Sequence, residues 1–298
     1  MVFAVTGATG YVGSRIIDRL RTKGHRVYAL GRDRSGKSDN LHAPFRLEDT
    51  EHGFPTDTEV LIHCAYDFRP HRRADIEQVN GDGSIRLFES ARLAGIPHRI
   101  FISTMSAYEG CASNYGRVKL RVEHEVLRTG GIVLRPGLVY GDRMGGMMGT
   151  LAGLIEKSQL VPLIGDGRQA LYLIHEADLG DLVAHVSSQP VGVVSRTVTA
   201  AHPEVMTFRQ ILAAISAAKG RRTTFLPLPW RLVWLTLRLV ELSGLRLGMR
   251  SDSVVSLVHQ NPSPDFTYLA ASGLRVRRFL DTLGGSDARI RSSGHSEG

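Results

Sequence analysis

Cysteine is nearly absent from this 298-residue chain, which carries only Cys64 and Cys111. Two thiols cannot build a disulfide framework, and no cysteine–histidine spacing fits a zinc site; no metal is expected, and a reducing cytoplasm is the expected compartment. Long apolar runs are lacking too. The most apolar later stretch, residues 229–249, is interrupted by Arg231, Arg238, Glu241 and Arg246, which predicts an amphipathic helix rather than a membrane span. The N-terminus has no basic start, long apolar core or small-residue cleavage site, so no secretory leader is expected. Helix-turn-helix patterns and aromatic-basic platforms are missing as well. The formal charge of +8 comes from basic residues scattered along the chain, and anionic cofactors and a small-molecule substrate account for it better than nucleic acid.

What is present is an alternation. Val2 to Val5 is a short apolar run ending in Thr6-Gly7, and Val12, Ile16, Ile17 and Leu20 follow at helical spacing up to a stop at Gly24. Further strands are expected at Arg26 to Leu30, Val60 to Cys64, Arg99 to Ser103 and Gly131 to Leu134, the last closed by the turn Arg135-Pro136-Gly137. Helices are expected at Ile85 to Ala94 and Tyr115 to Arg128. Strands alternating with helices predict an α/β fold, a Rossmann-type doubly wound parallel sheet covered on both faces. After Gly141 the alternation weakens; Gly145, Gly146 and Gly149 suggest a flexible stretch, and Leu151 to Lys157 a helix outside the sheet. The expected organisation is a dinucleotide-binding domain at 1–141 and a smaller, mainly substrate-binding region at 142–284 with some segments returning to the main domain. A tail at 285–298, rich in Ser, Gly and charge, is expected to be disordered.

Gly7, Gly10 and Gly13 stand at G-x-x-G-x-x-G spacing between the first strand and the first helix. In that context Gly7 permits the tight turn, Gly10 lets backbone approach a pyrophosphate, and Gly13 lets the helix pack close to the strand. The helix N-terminus then points its free N–H groups at the phosphates. An acidic residue at the end of the second strand would bind the adenosine ribose hydroxyls. Here Leu30-Gly31-Arg32 ends the strand, so Arg32, with Arg15 one turn into the helix, favours a 2′-phosphate and hence NADP(H), with NAD(H) as the alternative.

Tyr115 and Lys119 lie four apart on one face of an expected helix. Lowering a tyrosine pKa by about 3 units requires about 4 kcal/mol of preferential phenolate stabilisation, which a neighbouring ammonium and an oxidised nicotinamide together would supply. The pair follows the strand Ile100-Phe101-Ile102-Ser103 and the hydroxyl-rich turn Thr104-Met105-Ser106, at the carboxyl end of the expected sheet, where such folds place ligands.

The segments VTGATGYVGS, VLIHCAY, VNGDGSIRLFESARLAGI, ISTMSAYEG, YGRVK, LRPGLVYGD and LIHEADLGDLV, in this order, resemble the extended short-chain dehydrogenase/reductases, the NAD-dependent epimerase/dehydratase family. The resemblance implies that Tyr115 is the general acid/base and that Lys119 binds the nicotinamide ribose and depresses the tyrosine pKa. It implies that Thr104 hydrogen-bonds the substrate oxygen, with Ser103 and Ser106 as fallback donors, and that Asn80 steadies the lysine through water. Thr9, Tyr11, Val12, Leu47, Cys64, Ala65, Pro136 and Val139 would join the glycines around the cofactor. A homodimer is a further implication.

Several positions depart from the family pattern. Only six residues separate Tyr108 from Tyr115, so one wall of the substrate site is expected to be short. Met105-Ser106 replaces the Asp-Glu pair of the dehydratases after Thr104, which argues against sugar dehydration. Leu171 stands where nucleotide-sugar epimerases carry a diphosphate-gripping arginine; Arg168, or the cluster Arg69, His71, Arg72 and Arg73, would have to replace it unless these are solvated loop charges. Arg46-Leu47 occupies the adenine-contacting acidic position, with Glu48 and Asp49 just after. His175 and Asp178 read as structural, Cys111 as an inert thiol, and Trp230 and Trp234 as core. Three functions follow as alternatives: an NAD(P)-dependent oxidoreductase interconverting a carbonyl and a secondary alcohol on a keto-sugar or related metabolite, an NAD-dependent nucleotide-sugar epimerase, or a non-catalytic dinucleotide-binding sensor or assembly subunit.

Overall fold

The computed structural model describes residues 1–32, 41–142, 144–194, 197–243 and 249–283, so the tail expected to be disordered lies outside the described residues. The chain divides into two compact units. The first comprises Met1–Pro136, Glu176–Ala200 and Asn261–Leu274; the second comprises Gly137–His175, Ala201–Gln260 and, among the described residues, 275–283.

Strand β1 (Val2–Thr6) runs through the glycine turn into α1 (Tyr11–Thr22), and β2 (Arg26–Gly31) and β3 (His42–Pro44) follow. A helical crossover joins β4 (Val60–His63) to β5 (His98–Ile102): α2 (Arg73–Ile76), a π-helical stretch at Glu77–Asp82, and α3 (Gly83–Leu93). Then come α4 (Asn114–Arg128) and β6 (Ile132–Pro136). Elements β7 (Leu138–Tyr140), α5 (Gly146–Lys157), β8 (Leu160–Ile164), β9 (Ala170–Leu171) and β10 (Leu173–His175) belong to the second unit. The first unit resumes with α6 (Glu176–Ser188) and β11 (Thr197–Ala200). The second continues with β12 (Met206–Thr207), α7 (Phe208–Ala218), β13 (Thr224–Leu228), α8 (Trp230–Leu242) and α9 (Ser251–Val258). Finally α10 (Thr267–Ala271) lies in the first unit and α11 (Phe279–Leu283) in the second.

The first unit is built on a seven-stranded parallel sheet in the order β11-β6-β5-β4-β1-β2-β3. All four residues of β4 are buried, as expected of a central parallel strand covered on both faces. The order reverses between β1 and β4, so the crevice beyond their carboxyl ends is the topological switch point at which such sheets bind ligands. The ends of β1, β4, β5 and β6 bring Thr6, His63, Ile102 and Pro136 to that one edge.

Two expectations in this unit change. Helix is expected from Ile85, yet the helical run begins at Arg73; a π turn at Asn80 absorbs a break in the apolar period, which hides the first turns from a pattern search. Arg135 and Pro136 do not form a turn. They complete β6, where pairing with Thr199 and Ala200 of β11 extends the strand to its proline end.

The second unit packs Met148, Leu151, Ile155, Phe208, Ile211, Leu212 and Ile215 of α5 and α7 against Leu163 and Leu171 of short two-stranded sheets. The stretch around Gly145, Gly146 and Gly149 is not loose: α5 begins at Gly146, and a Cβ on Gly149 would lie 2.6 Å from the Met144 carbonyl. Gly149 thus serves close packing, and Gly146 takes a left-handed φ of +55° at the helix start. Trp230 and Trp234 pack against this core, as expected. No helix among the described residues is long and apolar enough to cross a membrane.

Candidate active site

Gly7 adopts φ +69°, a left-handed conformation, and a Cβ there would lie 2.7 Å from the Ala65 amide nitrogen. A Cβ on Gly13 would sit 2.3 Å from the Gly7 carbonyl oxygen, so only glycine lets α1 approach the turn this closely. Gly10 is the N-cap, and its amide donates to the Gly7 carbonyl at 2.9 Å. No side chain caps α1 and no acidic residue stands in its first turn. The N–H groups of that turn and its positive dipole end therefore suit a pyrophosphate, with Thr9 and Gly10 exposed and Tyr11 and Val12 half-buried around it.

Behind this turn runs a buried polar chain. The Thr6 hydroxyl and His63 Nδ1 are 2.7 Å apart, His63 Nε2 and Ser84 Oγ 2.8 Å apart, and Ser84 Oγ donates to the Asn80 carbonyl at 2.6 Å. Burial, reinforced by the charge of Lys119, pushes His63 well below the usual histidine range, so the ring is neutral. One directed chain satisfies every member: Thr6 donates to Nδ1, Nε2–H donates to Ser84, and Ser84 donates to the Asn80 carbonyl. Thr6 Oγ1 also accepts from the amides of Cys64 and Ala65 at 3.2 and 3.3 Å, which fixes the backbone after β4 beneath Gly7. Asn80 is buried, and its carboxamide brackets Asp67, accepting from the amide at 2.6 Å and donating to the carbonyl at 2.9 Å. These contacts hold the loop after β4; the lysine-steadying role that the resemblance implies would run through water.

Ser113 caps α4 by accepting from the Gly116 amide at 3.0 Å, and Gly116 lets the helix meet the preceding turn, since a Cβ would come within 2.4 Å of the Ser106 carbonyl. The cap thus places Tyr115 in the first turn and Lys119 one turn on. Lys119 is buried; its ammonium donates to the Ile102 carbonyl at 2.8 Å and sits 4.4 Å from the Phe101 ring centroid and 5.8 Å from that of Tyr115. Tyr66 meets Tyr115 edge-on at 4.8 Å, and the exposed Phe68 stacks on it at 6.1 Å. Burial brings Lys119 down to about 8, against the opposing influence of Cys64 and Glu123, and pushes Tyr115 up to about 12. Desolvation disfavours the phenolate, and the ammonium is directed at a backbone carbonyl; the lowering expected of Tyr115 also invokes the charge of an oxidised nicotinamide. Desolvation likewise raises the half-buried Cys64 to about 12, which leaves it a thiol at neutral pH.

Thr104 is half-buried, and its hydroxyl oxygen accepts from the Ser106 amide at 3.2 Å, which leaves its proton for donation. Ser103 is not an equivalent donor. It is buried and donates to Glu123, and the same carboxylate takes Arg135 Nε at 3.0 and 3.1 Å on its two oxygens. Fully buried Glu123, with Ser103 and the part-buried Arg135, ties α4 to the ends of β5 and β6 one turn beyond Lys119. Neither His63 nor Glu123 emerges from the sequence reading; the signals present are a histidine ending an apolar strand and an acid four residues after the lysine.

The expected cations divide. Arg32 is exposed at the end of β2. Burial alone would raise the Asp67 carboxyl, but hydrogen bonds from Arg69, with smaller help from the charge of Arg32, hold it below the usual carboxylate value. Arg15 lies 3.3 Å from Glu176 and 3.4 Å from Asp18, and Tyr11 donates to the same Glu176 at 2.7 Å, so the second expected phosphate ligand is engaged by carboxylates. Arg69 is held by Asp67 and Glu48, Arg73 by Glu77 at 2.7 Å, and the highly exposed Arg168 lies 3.6 Å from Asp166. Leu171 is buried in the core of the second unit. Leu47 is buried with its carbonyl toward Gly83, where a Cβ would come within 2.3 Å; Glu48 turns to Arg69, and Asp49 accepts from the Arg46 amide at 3.2 Å. Pro136 accepts from the Met105 amide at 3.2 Å, and Val139 lies in β7 of the second unit. His175 is buried edge-on against Tyr140, with Nδ1 2.8 Å from Arg277 Nη1, and Asp178 is buried in α6. Cys111 is buried.

Comparison with known proteins gives this geometry a setting. Residues 3–200 match the model of the NAD dependent epimerase/dehydratase family. A ceramide reductase of Caulobacter vibrioides is 26% identical over 242 residues, covering 76% of this chain and 74% of that protein. A UDP-glucose 4-epimerase of Mycolicibacterium smegmatis is 25% identical over 258 residues, covering 72% and 82%. The solved UDP-glucose 4-epimerase of Thermotoga maritima superposes with a TM-score of 0.71 at 18% identity over 98% of this chain and 99% of that one, a likeness of fold. The glycine turn at the switch point, the helix bearing Tyr115 and Lys119, and the match over residues 3–200 identify the chain as a member of the NAD-dependent epimerase/dehydratase family, an NAD(P)-dependent enzyme of the extended short-chain dehydrogenase/reductase type.

Proposed function

We propose that the protein is a reductase or dehydrogenase that interconverts a carbonyl and a secondary alcohol on a small molecule, with NADP(H) preferred. The carrying observation is the placement of Tyr115 and Lys119 one turn apart on α4, beyond the carboxyl end of β5, with the ammonium 5.8 Å from the phenol ring centroid. A phenol is protonated at neutral pH and can serve there as the general acid of a reduction. The bound nicotinamide would supply the hydride; Gly7, Gly10, Gly13 and the first turn of α1 would hold its pyrophosphate, with Thr9, Tyr11 and Val12 beside them. Thr104 donates its hydroxyl proton to the substrate oxygen and orients it. Tyr115 passes its proton to that oxygen as the alcohol forms, and the Lys119 ammonium stabilises the negative charge left on the phenol. Asn80, His63 and Ser84 act through backbone, holding the turn and the strand ends in place.

A nucleotide sugar is less favoured because Leu171 is buried and Arg69, Arg73 and Arg168 each stand beside a local carboxylate, which leaves the exposed Arg72 as the arginine of that cluster to meet a diphosphate. Tyr66 and Phe68 instead present aromatic surface beside Tyr115, which suits a carbonyl with apolar neighbours. The reductase relative is consistent with this reading. The epimerase remains the second reading on the strength of the Mycolicibacterium relative.

The test is to denature freshly purified protein, identify released nucleotide by chromatography, and titrate the emptied protein with NADPH and NADH by nicotinamide fluorescence. Empty protein that binds NADPH at least about tenfold tighter supports a reductase that exchanges cofactor each turnover; tightly held NAD supports the epimerase. Arg32→Asp is expected to lower or reverse the NADPH preference by replacing attraction to a 2′-phosphate with repulsion, and an unchanged ratio would remove Arg32 from that role.

A further inference from the structure

Helix α8 has two apolar faces and a core for only one of them. Trp230, Val233, Trp234 and Leu237 pack against the core of the second unit. On another face Leu232, Leu235, Leu239 and Leu242, at i, i+3, i+7 and i+10, are 53%, 46%, 58% and 70% exposed. No residue of the helix is fully buried. The preceding strand adds Leu226, 46% exposed, paired with the exposed Pro162 of β8, on which Leu160 is also exposed. An apolar strip of this kind marks a contact surface rather than ordinary scatter.

Charge indicates what covers it. Residues 219–250 hold one lysine and six arginines against the single acid Glu241, a net +6 in a chain of net +8; of these Lys219 pairs with Glu156, Arg250 lies 3.8 Å from Glu241, and Arg246 falls outside the described residues. Arg231 and Arg238 fall on the helix edge beside the leucine face, with Arg231 exposed and Arg238 3.4 Å from Glu241. At the start of the β8–β13 sheet, Lys157, Arg221 and Arg222, with the single acid Glu156, line a cavity of about 240 Å³. A helix of 13 residues is about 20 Å long, too short to span a bilayer but suited to lie in its interface with leucines in the acyl boundary and arginines among the headgroups.

We infer that the face formed by α8 and the outer edge of the β8–β13 sheet docks the enzyme on an anionic phospholipid bilayer. Two weak signals combine there, leucine insertion and attraction of several basic residues to lipid phosphates, as reversible anchoring requires. A second copy of this chain, equally basic on the same face, would meet it with repulsion.

The experiment is flotation of the full chain with vesicles of phosphatidylcholine alone and of phosphatidylcholine with one third phosphatidylglycerol, alongside light scattering for oligomeric state. Binding is expected only to the anionic vesicles and to weaken at high salt. L235E/L239E is expected to abolish it. R231Q/R238Q is expected to weaken it about thirtyfold, from about 1 kcal/mol for each lost charge. Unchanged circular dichroism and NADPH binding in both variants would establish that the fold survives. No binding of the parent to anionic vesicles, or binding that persists in L235E/L239E, overturns the proposal. So does a parent dimer that L235E/L239E converts to monomer, which would assign the face to a second copy.

Discussion

Among the described residues, Thr6, His63, Asn80, Ser84, Ser103, Lys119 and Glu123 are buried in the first unit, whereas the buried polar groups of the second are His175, Ser216 and Ser251. The second unit instead leaves Leu226, Leu232, Leu235, Leu239 and Leu242 exposed. The first unit thus carries desolvation cost, offset by hydrogen bonds that hold a proton donor and a cofactor turn in place. The second carries few buried polar groups and presents apolar surface outward. A parallel sheet explains part of the contrast, because its carboxyl edge gathers strand ends, and the polar groups that terminate them, at one place. The second unit has only two-stranded sheets and packs mainly by its helices, so side chains on its outer helix face are decided by what they meet outside.

This contrast can be broken at the first unit's chemistry. Tyr115→Phe removes the proton that the reduction needs and is expected to lower kcat/KM for carbonyl reduction by about 10²–10⁴, with little change in the urea midpoint. Steady-state assays with NADPH check it; an active variant would move catalysis off α4. Next in size is Arg135→Leu, which leaves Glu123 buried without its partner and is expected to cost about 3–5 kcal/mol by denaturant unfolding. The double variant Glu123→Leu/Arg135→Leu should recover much of that loss, since the penalty belongs to the uncompensated charge.

A smaller effect comes from pH. His63 is held neutral with its folded pKa depressed, so the unfolded chain takes up the proton first. Its stabilising contribution is complete above the ordinary value of 6.5 and is lost as pH falls below it, at up to about 1.4 kcal/mol per pH unit. His25, His52 and His98, also lowered by burial in the first unit, act in the same direction. Urea midpoints measured from pH 7.5 to 5.5 should fall, and His63→Gln should flatten the slope. The smallest expected effect lies in the second unit: Leu235→Ser is expected to change stability by no more than about 0.5 kcal/mol, because the side chain gains little burial on folding. A loss of several kcal/mol would mean that the leucine face is covered in the folded protein.

Much of the first unit is legible in the sequence. The strands at Val2, Arg26, Val60 and Arg99, the glycine turn and the helix carrying Tyr115 and Lys119 all stand where the periodicity predicts, and Gly13 has the close-packing role assigned to it. Where a reading differs from the structure, the reason is specific. The π turn at Asn80 breaks the apolar period, Arg135 and Pro136 extend β6 because β11 pairs with them, and the glycines at 145–149 read as flexible although α5 begins at Gly146 and a carbonyl crowds Gly149. Partner choice was the least legible. Arg15 stands one turn into α1, and Glu176, far along the chain, lies beside it.

The sequence by itself determined the elements, the sheet type and the spacing of the glycine and Tyr-x-x-x-Lys motifs, because hydrophobic period, turn chemistry and helix capping act within a few residues. Only the tertiary structure decided that Thr6 meets His63, that Ser103 is committed to Glu123, and that Lys119 faces the Ile102 carbonyl. Those pairings span 57, 20 and 17 residues. A buried polar group takes whichever partner the folded backbone brings within about 3 Å, and nothing local in the chain names that partner in advance.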